Sequence, residues 1–482
     1  MVEPIFSVEH TIIFFLLPLL NFALAIFIIY MERRNISSTW VWLMVLLLLP
    51  VVGFALYMIF GQNISRERIY RLKSKGHDHR NESVDEQMAE IKRGMLLSTK
   101  YLSKYQHLIS MNLVHNDSLL TQDNEVQVFT TGQDKFKVLL EQIEQAKAHV
   151  HLLYYKMASD GLGSRVLDAL VRKAQEGVEV RVIYDDVGST GLPKEFFAPL
   201  VKAGGKVFSF FPSKVSFLNG KLNFRNHRKI AVIDGRIGFV GGYNIGDEYL
   251  GLDKNIGNWR DTHLMIRGGA VQRLQSQFLL DWNVAADDVM TYDPKYFPEG
   301  EAKGNMAIQI VSSGPHSGRE EIKDAFLKLI FQAKKSIYVQ TPYFVPDESM
   351  LNALRIAAFS GVDVRVMIPK KPDSRIVGWA SLAYLSDLVQ AGVKCYLYDN
   401  GFLHAKTLVI DREVASVGST NMDNRSFKLN FEVSAILYDQ QLACQLENIF
   451  NQDMQHSVLL SQGEGRLGRV KESVGRLLSP IL

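Results

Sequence analysis

An internal duplication constrains this chain more than any other feature. His227-Arg228-Lys229-Ile230-Ala231-Val232-Ile233-Asp234 is answered by His404-Ala405-Lys406-Thr407-Leu408-Val409-Ile410-Asp411. The trailing Gly241-Gly242-Tyr243-Asn244 is answered by Gly418-Ser419-Thr420-Asn421. Upstream, Glu-Gly-Val-Glu-Val-Arg-Val (176–182) matches Ser-Gly-Val-Asp-Val-Arg-Val (360–366), and Leu-Val-Lys-Ala-Gly (200–204) matches Leu-Val-Gln-Ala-Gly (388–392). A chain repeated in this way folds as two copies of one unit. The unit is α/β. Short apolar runs at 126–129, 150–155 and 178–184 alternate with helical spacings over 136–146 and 164–176. The order returns as helix 322–333, strand 336–343, helix 350–360 and strand 362–368. Gly177 and Gly361 stop the corresponding helices.

The halves are expected at 123–300 and 301–482, preceded by a linker or outer helices over 64–122 and an apolar segment over 1–63. Between Gly204 and His227 the first copy carries an insertion, Phe210 to Asn226, that is either a wall or lid over the substrate or a surface loop. The end of the chain, from Gly465, places Leu467, Val470, Val474, Leu477 and Leu478 on one helical face among basic residues. It is read as an amphipathic segment that lies on a membrane or docks on the domain.

Thr11–Tyr30 and Trp40–Phe60 are uncharged runs, each long enough to span a bilayer despite Pro18 and Pro50. They are read as a two-helix transmembrane hairpin with spans at about 11–31 and 40–60. Arg66, Arg68, Arg71, Lys73 and Lys75 follow the second run, against Arg33 and Arg34 in the connector. That bias places the bulk of the chain in the cytoplasm of a multi-pass cell-membrane protein. A net charge of only +3 gives no reason to expect nucleic acid as a partner. Cys395 and Cys444 sit in apolar-rich segments and are expected to be buried, reduced thiols. Nothing in the sequence fixes the oligomeric state.

Residues two apart in a strand share a face, so His227 with Lys229, and His404 with Lys406, project together. Asp234 and Asp411 lie at odd spacing and belong to the opposite face. Asp234-Gly235 is a hairpin-turn signal, so the motif Asp is read as a turn anchor behind the reacting pair. Two imidazoles and two ammonium groups suit a phosphodiester. The lysines offset oxygen charge, one His attacks phosphorus, and the other protonates the leaving oxygen. Asn244, Asn421 and Ser419 are candidate donors to phosphate oxygens. Asp261 and Glu432, downstream of the two motifs, are candidates for orienting the rings. A Lys two residues from each His disfavours a metal, and no cofactor motif accompanies the pattern.

His-x-Lys-x-x-x-x-Asp with a trailing Gly-[Gly/Ser]-x-Asn, present twice, resembles the phospholipase D superfamily. Within it the chain is similar to bacterial cardiolipin synthases over essentially its whole length. The stretches that carry this are Leu49-Pro50-Val51-Val52-Gly53-Phe54, Phe60-Gly61-Gln62-Asn63, Asn226-His227-Arg228-Lys229, Trp259-Arg260-Asp261-Thr262, Thr341-Pro342-Tyr343-Phe344-Val345-Pro346-Asp347, His404-Ala405-Lys406-Thr407 and Asn421-Met422-Asp423 with Arg425-Ser426. The resemblance implies two α/β halves sharing one site. It also implies transfer of a phosphatidyl group from one phosphatidylglycerol to another with release of glycerol, His227 as nucleophile and His404 as acid/base. It departs at Leu153, where a polar side chain is usual, which leaves that strand without the corresponding contact. Water or a lipid alcohol as acceptor is not encoded in the motif, and a phospholipase D-type hydrolase or a phosphodiester nuclease uses the same residues.

Overall fold

The structure is a computed structural model that describes residues 15–31, 36–60, 79–95, 100–210, 224–254, 256–298 and 304–461. Most of the 210–226 insertion, the basic residues flanking the apolar runs and the C-terminal amphipathic segment lie outside these residues.

The first half contributes β1 (Thr121–Phe129), β2 (His149–Tyr154), β3 (Glu179–Asp185), β4 (Lys206–Phe210), β5 (Arg225–Asn226), β6 (Lys229–Ile233), β7 (Ile237–Gly241), β8 (Trp259–Arg260) and β9 (His263–Arg267). The second contributes β10 (Met306–Ser313), β11 (Ser336–Gln340), β12 (Phe344–Val345), β13 (Asp363–Pro369), β14 (Lys394–Tyr398), β15 (Phe402–Leu403), β16 (Thr407–Ile410), β17 (Val414–Gly418), β18 (Met422–Asp423), β19 (Asn430–Tyr438) and β20 (Ser457–Leu459). Strand order is β1-β9-β7-β6-β2-β3-β4 in one half and β10-β19-β17-β16-β11-β13-β14 in the other. The duplication read from the sequence is therefore a duplication of topology. The halves join through the antiparallel β1–β10 pair into one sheet.

The β2–β3 and β11–β13 pairs are parallel, with crossover helices Gly161–Gln175 and Glu348–Phe359. Both helices begin at an Asp cap, Asp160 on Gly163 N and Asp347 on Met350 N. A core built from both halves, including Ile230, Val240, Leu264, Ile308, Val417 and Val433, closes the seam between them. Leu153 is buried in this core and makes no polar contact with its side chain.

In the stretch expected as a linker or outer helices, the described residues are largely helical and pack on the second half. Helices Lys100–Lys104 and Gln106–Asn116 bury Leu108, Ile109 and Leu113 against Phe326, Leu329 and Ile436. Asn112 Nδ2 donates to Gln309 Oε1 at 3.1 Å.

The apolar N-terminus departs from two straight spans. Helix Leu17–Met31 has 15 residues, about 22 Å at 1.5 Å per residue. The second run is two helices, Ile36–Leu48 and Val52–Phe60, broken at Pro50. Proline lacks the N–H that would continue the ladder, and Val51 follows in the left-handed region at φ 65°. The two helices then fold together where Gly53 meets the backbone of Val45 and Leu46; a Cβ there would lie 2.7 Å from Val45 O. Among the described residues no helix is long and apolar enough to cross a membrane. Phe15, Leu19, Phe22, Trp40, Leu47 and Leu48 nonetheless point outward. Of the two cysteines, Cys395 is buried as expected, whereas Cys444 is only partly buried, because its helix lies at the surface.

Candidate active site

Each motif histidine sits in the gap between a two-residue strand and a longer one: His227 between β5 and β6, His404 between β15 and β16. The short strands cross the seam. β5 pairs in parallel with β19 of the other half, and β15 with β8. Consequently His227 N donates to Phe431 O at 2.9 Å and His404 N to Arg260 O at 2.7 Å. The next residue along each of those partners is a carboxylate, Glu432 and Asp261.

The rings are oriented by exchange between halves. His227 Nδ1 lies 2.9 and 3.1 Å from the two Glu432 carboxylate oxygens, and His404 Nδ1 lies 2.6 Å from Asp261 Oδ2. The expectation that Asp261 and Glu432 serve as orienting acids fits this geometry, with each acid on the histidine of the other copy. A carboxylate on Nδ1 fixes the proton there and leaves Nε2 bare toward the cavity. Burial would raise both acids. In Glu432 the His227 hydrogen bond, the Lys229 charge and the Ser419 hydroxyl outweigh it, and in Asp261 the Lys406 charge and the His404 hydrogen bond do, so both stay ionised. Burial pushes His227 down to about 4 and His404 down to about 3, so both rings are neutral at pH 7.

Lys229 and Lys406 are buried beside their motif histidines, each Nζ donating to the histidine carbonyl, and Lys406 Nζ also lies 2.8 Å from His404 Nδ1. Burial holds Lys229 well below its usual value, with the Lys406 charge adding to it, and brings Lys406 down to about 8 against the pull of Asp261 and Glu432. Such a pair is stabilised by an anion. Asn244 and Asn421 line the same cavity as the histidines. Asn244 Nδ2 donates to Tyr249 Oη at 3.0 Å. Ser419, expected to donate to phosphate, instead turns its hydroxyl onto Glu432 Oε2 and is fully buried. Its counterpart Gly242 packs so close to Asp261 that a Cβ would stand 2.0 Å from Oδ1. The longer acid thus meets a serine, and the shorter one fills the room a glycine leaves.

Asp234 and Asp411 sit at the far end of β6 and β16, where their carboxylates hold the backbone that leads into β2 and β11. Asp234 accepts from the backbone N–H of Lys147, Ala148 and His149, and Asp411 from those of Lys334, Lys335 and Ser336. Asp411→Ala is expected to cost about 2–4 kcal/mol of stability through three abandoned N–H groups. Turnover per folded molecule should change less than about threefold. Thermal unfolding, with activity normalised to folded protein, separates the two effects. A large loss of turnover at unchanged stability would return the Asp to the chemistry.

Comparison with known proteins matches this architecture. A family model described as cardiolipin synthase, PLD-like domain, covers residues 139–282 and 326–454, and one described as phospholipase D-nuclease N-terminal covers 19–62. The chain is 48% identical over 470 residues to the major cardiolipin synthase of Bacillus subtilis (strain 168), covering 96% of this chain and 98% of that one. The chain belongs to the cardiolipin synthase family of the phospholipase D superfamily. A cardiolipin synthase of Listeria welshimeri is also 48% identical, over 472 residues, covering 97% of this chain and 98% of that one. The fold is shared with the solved structure of phosphatidylserine synthase from Haemophilus influenzae at a TM-score of 0.59 and 18% identity, over 79% of this chain and 97% of that one.

Several residues around the centre have places that the motif spacing does not reveal. Tyr155 places its ring edge-on to His227 at 5.0 Å, and Trp259 packs against His404 at 5.1 Å. Arg228 is fully buried. Its guanidinium binds both Asp281 oxygens, at 2.6 and 2.9 Å, and donates to Glu432 O and Ser313 O, which ties the two halves behind His227. Arg225 and Arg425 line the cavity. Matching the two copies position by position would have drawn attention to both.

Proposed function

We propose that this chain transfers the phosphatidyl group of one phosphatidylglycerol to the head-group hydroxyl of a second, giving cardiolipin and glycerol. The observation that carries this reading is the convergence of two carboxylate-paired histidines, drawn from both halves, on one cavity of about 1010 Å³, each with a buried lysine on its backbone carbonyl. The lysines receive the phosphodiester charge that burial has left them short of.

With His227 as nucleophile, its bare Nε2 attacks phosphorus. The P–O bond to glycerol breaks, and the departing oxygen takes a proton from the His404 imidazolium, leaving a phosphatidyl-histidine. The bound phosphate anion supplies the negative charge that lets His404 hold that proton. His404, now neutral, takes the proton of the incoming lipid hydroxyl, whose oxygen attacks phosphorus as the N–P bond breaks. Asp261 and Glu432 hold each ring in the required tautomer throughout.

The outward apolar side chains of the three N-terminal helices anchor the chain in the membrane that supplies both lipids, with the catalytic halves on the cytoplasmic side. Purified protein given phosphatidylglycerol alone in mixed micelles should yield cardiolipin and free glycerol in equal amounts. Phosphatidic acid in place of cardiolipin would make the enzyme a hydrolase.

A further inference from the structure

The two halves repeat each other so closely that their differences around the cavity are informative. The strand pairs that cross the seam set Arg225 beside Asn430 at the His227 end, and Phe402 beside Trp259 at the His404 end. Four residues after each trailing Asn stands Glu248 in one half and Arg425 in the other. Lys156, next to the Met157–Ile245 bridge, corresponds to Tyr343, next to the Phe344–Met422 pair. The first half neutralises this position with the Lys156 Nζ–Glu248 Oε1 ion pair at 2.9 Å. The second half puts Tyr343 and Arg425 there instead.

Arg225, Asn430, Phe402, Trp259, Lys156, Glu248, Tyr343 and Arg425 all line the cavity that holds both imidazoles, so the two halves bring different charges to it. At one end, aromatic rings of Phe402 and Trp259 lie 5.9 and 5.1 Å from the His404 ring. At the other, Arg225, paired with Asn430, and Arg425, on the short helix Asn424–Lys428 that leads into β19, line the same cavity as Tyr155, the ring that meets His227. Burial lowers the Arg225 guanidinium below its ordinary range, and the Arg425 charge adds to this against the pull of Asp185 and Tyr155. The carboxylates at this end are engaged. Asp185 stands 3.9 Å from Arg225 and accepts from Val187, Gly188 and Asn226 N–H. Asp423, brought up to about 6 by burial, caps a helix through Ser426 N–H, and Asp373 accepts from Tyr343 Oη.

Two guanidinium groups in one cavity, both next to β19, make a place for a phosphate. The transfer reading supplies one. The reacting phosphate lies between the imidazoles, and the departing glycerol carries none. The acceptor lipid, however, brings a second phosphodiester three carbons from its attacking hydroxyl. We infer that Arg225 and Arg425 bind the acceptor's phosphodiester and thereby select an anionic glycerophospholipid over water or free glycerol as the second substrate. This rests on the transferase reading above.

Full-length protein in phosphatidylglycerol–detergent micelles containing radiolabelled glycerol tests it. Label entering phosphatidylglycerol reports return of the phosphatidyl group to a neutral acceptor, and cardiolipin reports transfer to an anionic one. Arg225→Gln and Arg425→Gln should each lower the ratio of cardiolipin formed to label exchanged by about tenfold, through a higher KM for phosphatidylglycerol as acceptor. Arg425→Lys, which keeps the charge, should recover most of the ratio. An unchanged ratio in both Gln variants overturns the assignment, as does a Lys variant no better than Gln. Because the readout is a ratio, partial misfolding does not mimic the effect. Wild-type protein that makes phosphatidic acid and exchanges no glycerol would show instead that the transferase reading had failed.

Discussion

His404→Ala is expected to lower cardiolipin formation from phosphatidylglycerol at least about 10⁴-fold, with glycerol release falling in step, and His227→Ala to do the same. Both rings act in both half-reactions, one on phosphorus and the other on the departing and incoming oxygens, so neither variant completes the cycle at an appreciable rate. The covalent step separates their roles. With His227 as the attacking ring, His404→Ala incubated with phosphatidylglycerol slowly gains one phosphatidyl group per chain by intact mass, whereas His227→Ala gains none. The lysines, asparagines and carboxylates remain in both variants, so any residual rate measures what charge and positioning contribute alone. An adduct in the opposite pattern reverses the two roles. Absence of an adduct in the wild type as well would remove the covalent route.

How far this centre is legible in the sequence depends on the range of the interaction that sets each residue. The duplication, the strand and helix order and the His–Lys spacing are local, and the two halves realise them in the same strand order. The turn role of Asp234 and Asp411 follows from strand parity, because a period of two leaves no other face for them. The exchange of acids between halves is not local. It is made by two-residue ladders, Arg225–Asn226 on Asn430–Phe431 and Phe402–Leu403 on Trp259–Arg260, which are too short to leave a pattern. Ser419 reads as a phosphate donor from its place after Gly418, yet Glu432 is one methylene longer than Asp261 and takes its hydroxyl. Pro50 was visible inside the second apolar run. The consequence is carried by Val51 at φ 65° and by Gly53, which lets the helices close on each other.

Glu432→Gln and Asp261→Asn are expected to lower turnover by about 10²–10⁴-fold while leaving the rings in place. An amide can donate to Nδ1, which moves the ring proton to Nε2 and blunts the atom that faces phosphorus. The carboxylate also supports the imidazolium. Asp261 raises the His404 pKa against burial and the Lys406 charge, so its removal lowers that pKa further. Proton delivery to the departing glycerol then demands more acid, and the activity optimum of Asp261→Asn should move to lower pH. The pairing across halves makes a sharper claim, which double variants test. On a His404→Ala background, Asp261→Asn should add almost nothing, because the ring it served is gone. Glu432→Gln on the same background should still slow adduct formation at His227. Were each acid to serve the motif of its own half, the couplings would be exchanged, with Asp261→Asn silent only when His227 is missing. The bonds His227–Glu432 and His404–Asp261 require the first pattern, and with it a centre that neither half can assemble without the other.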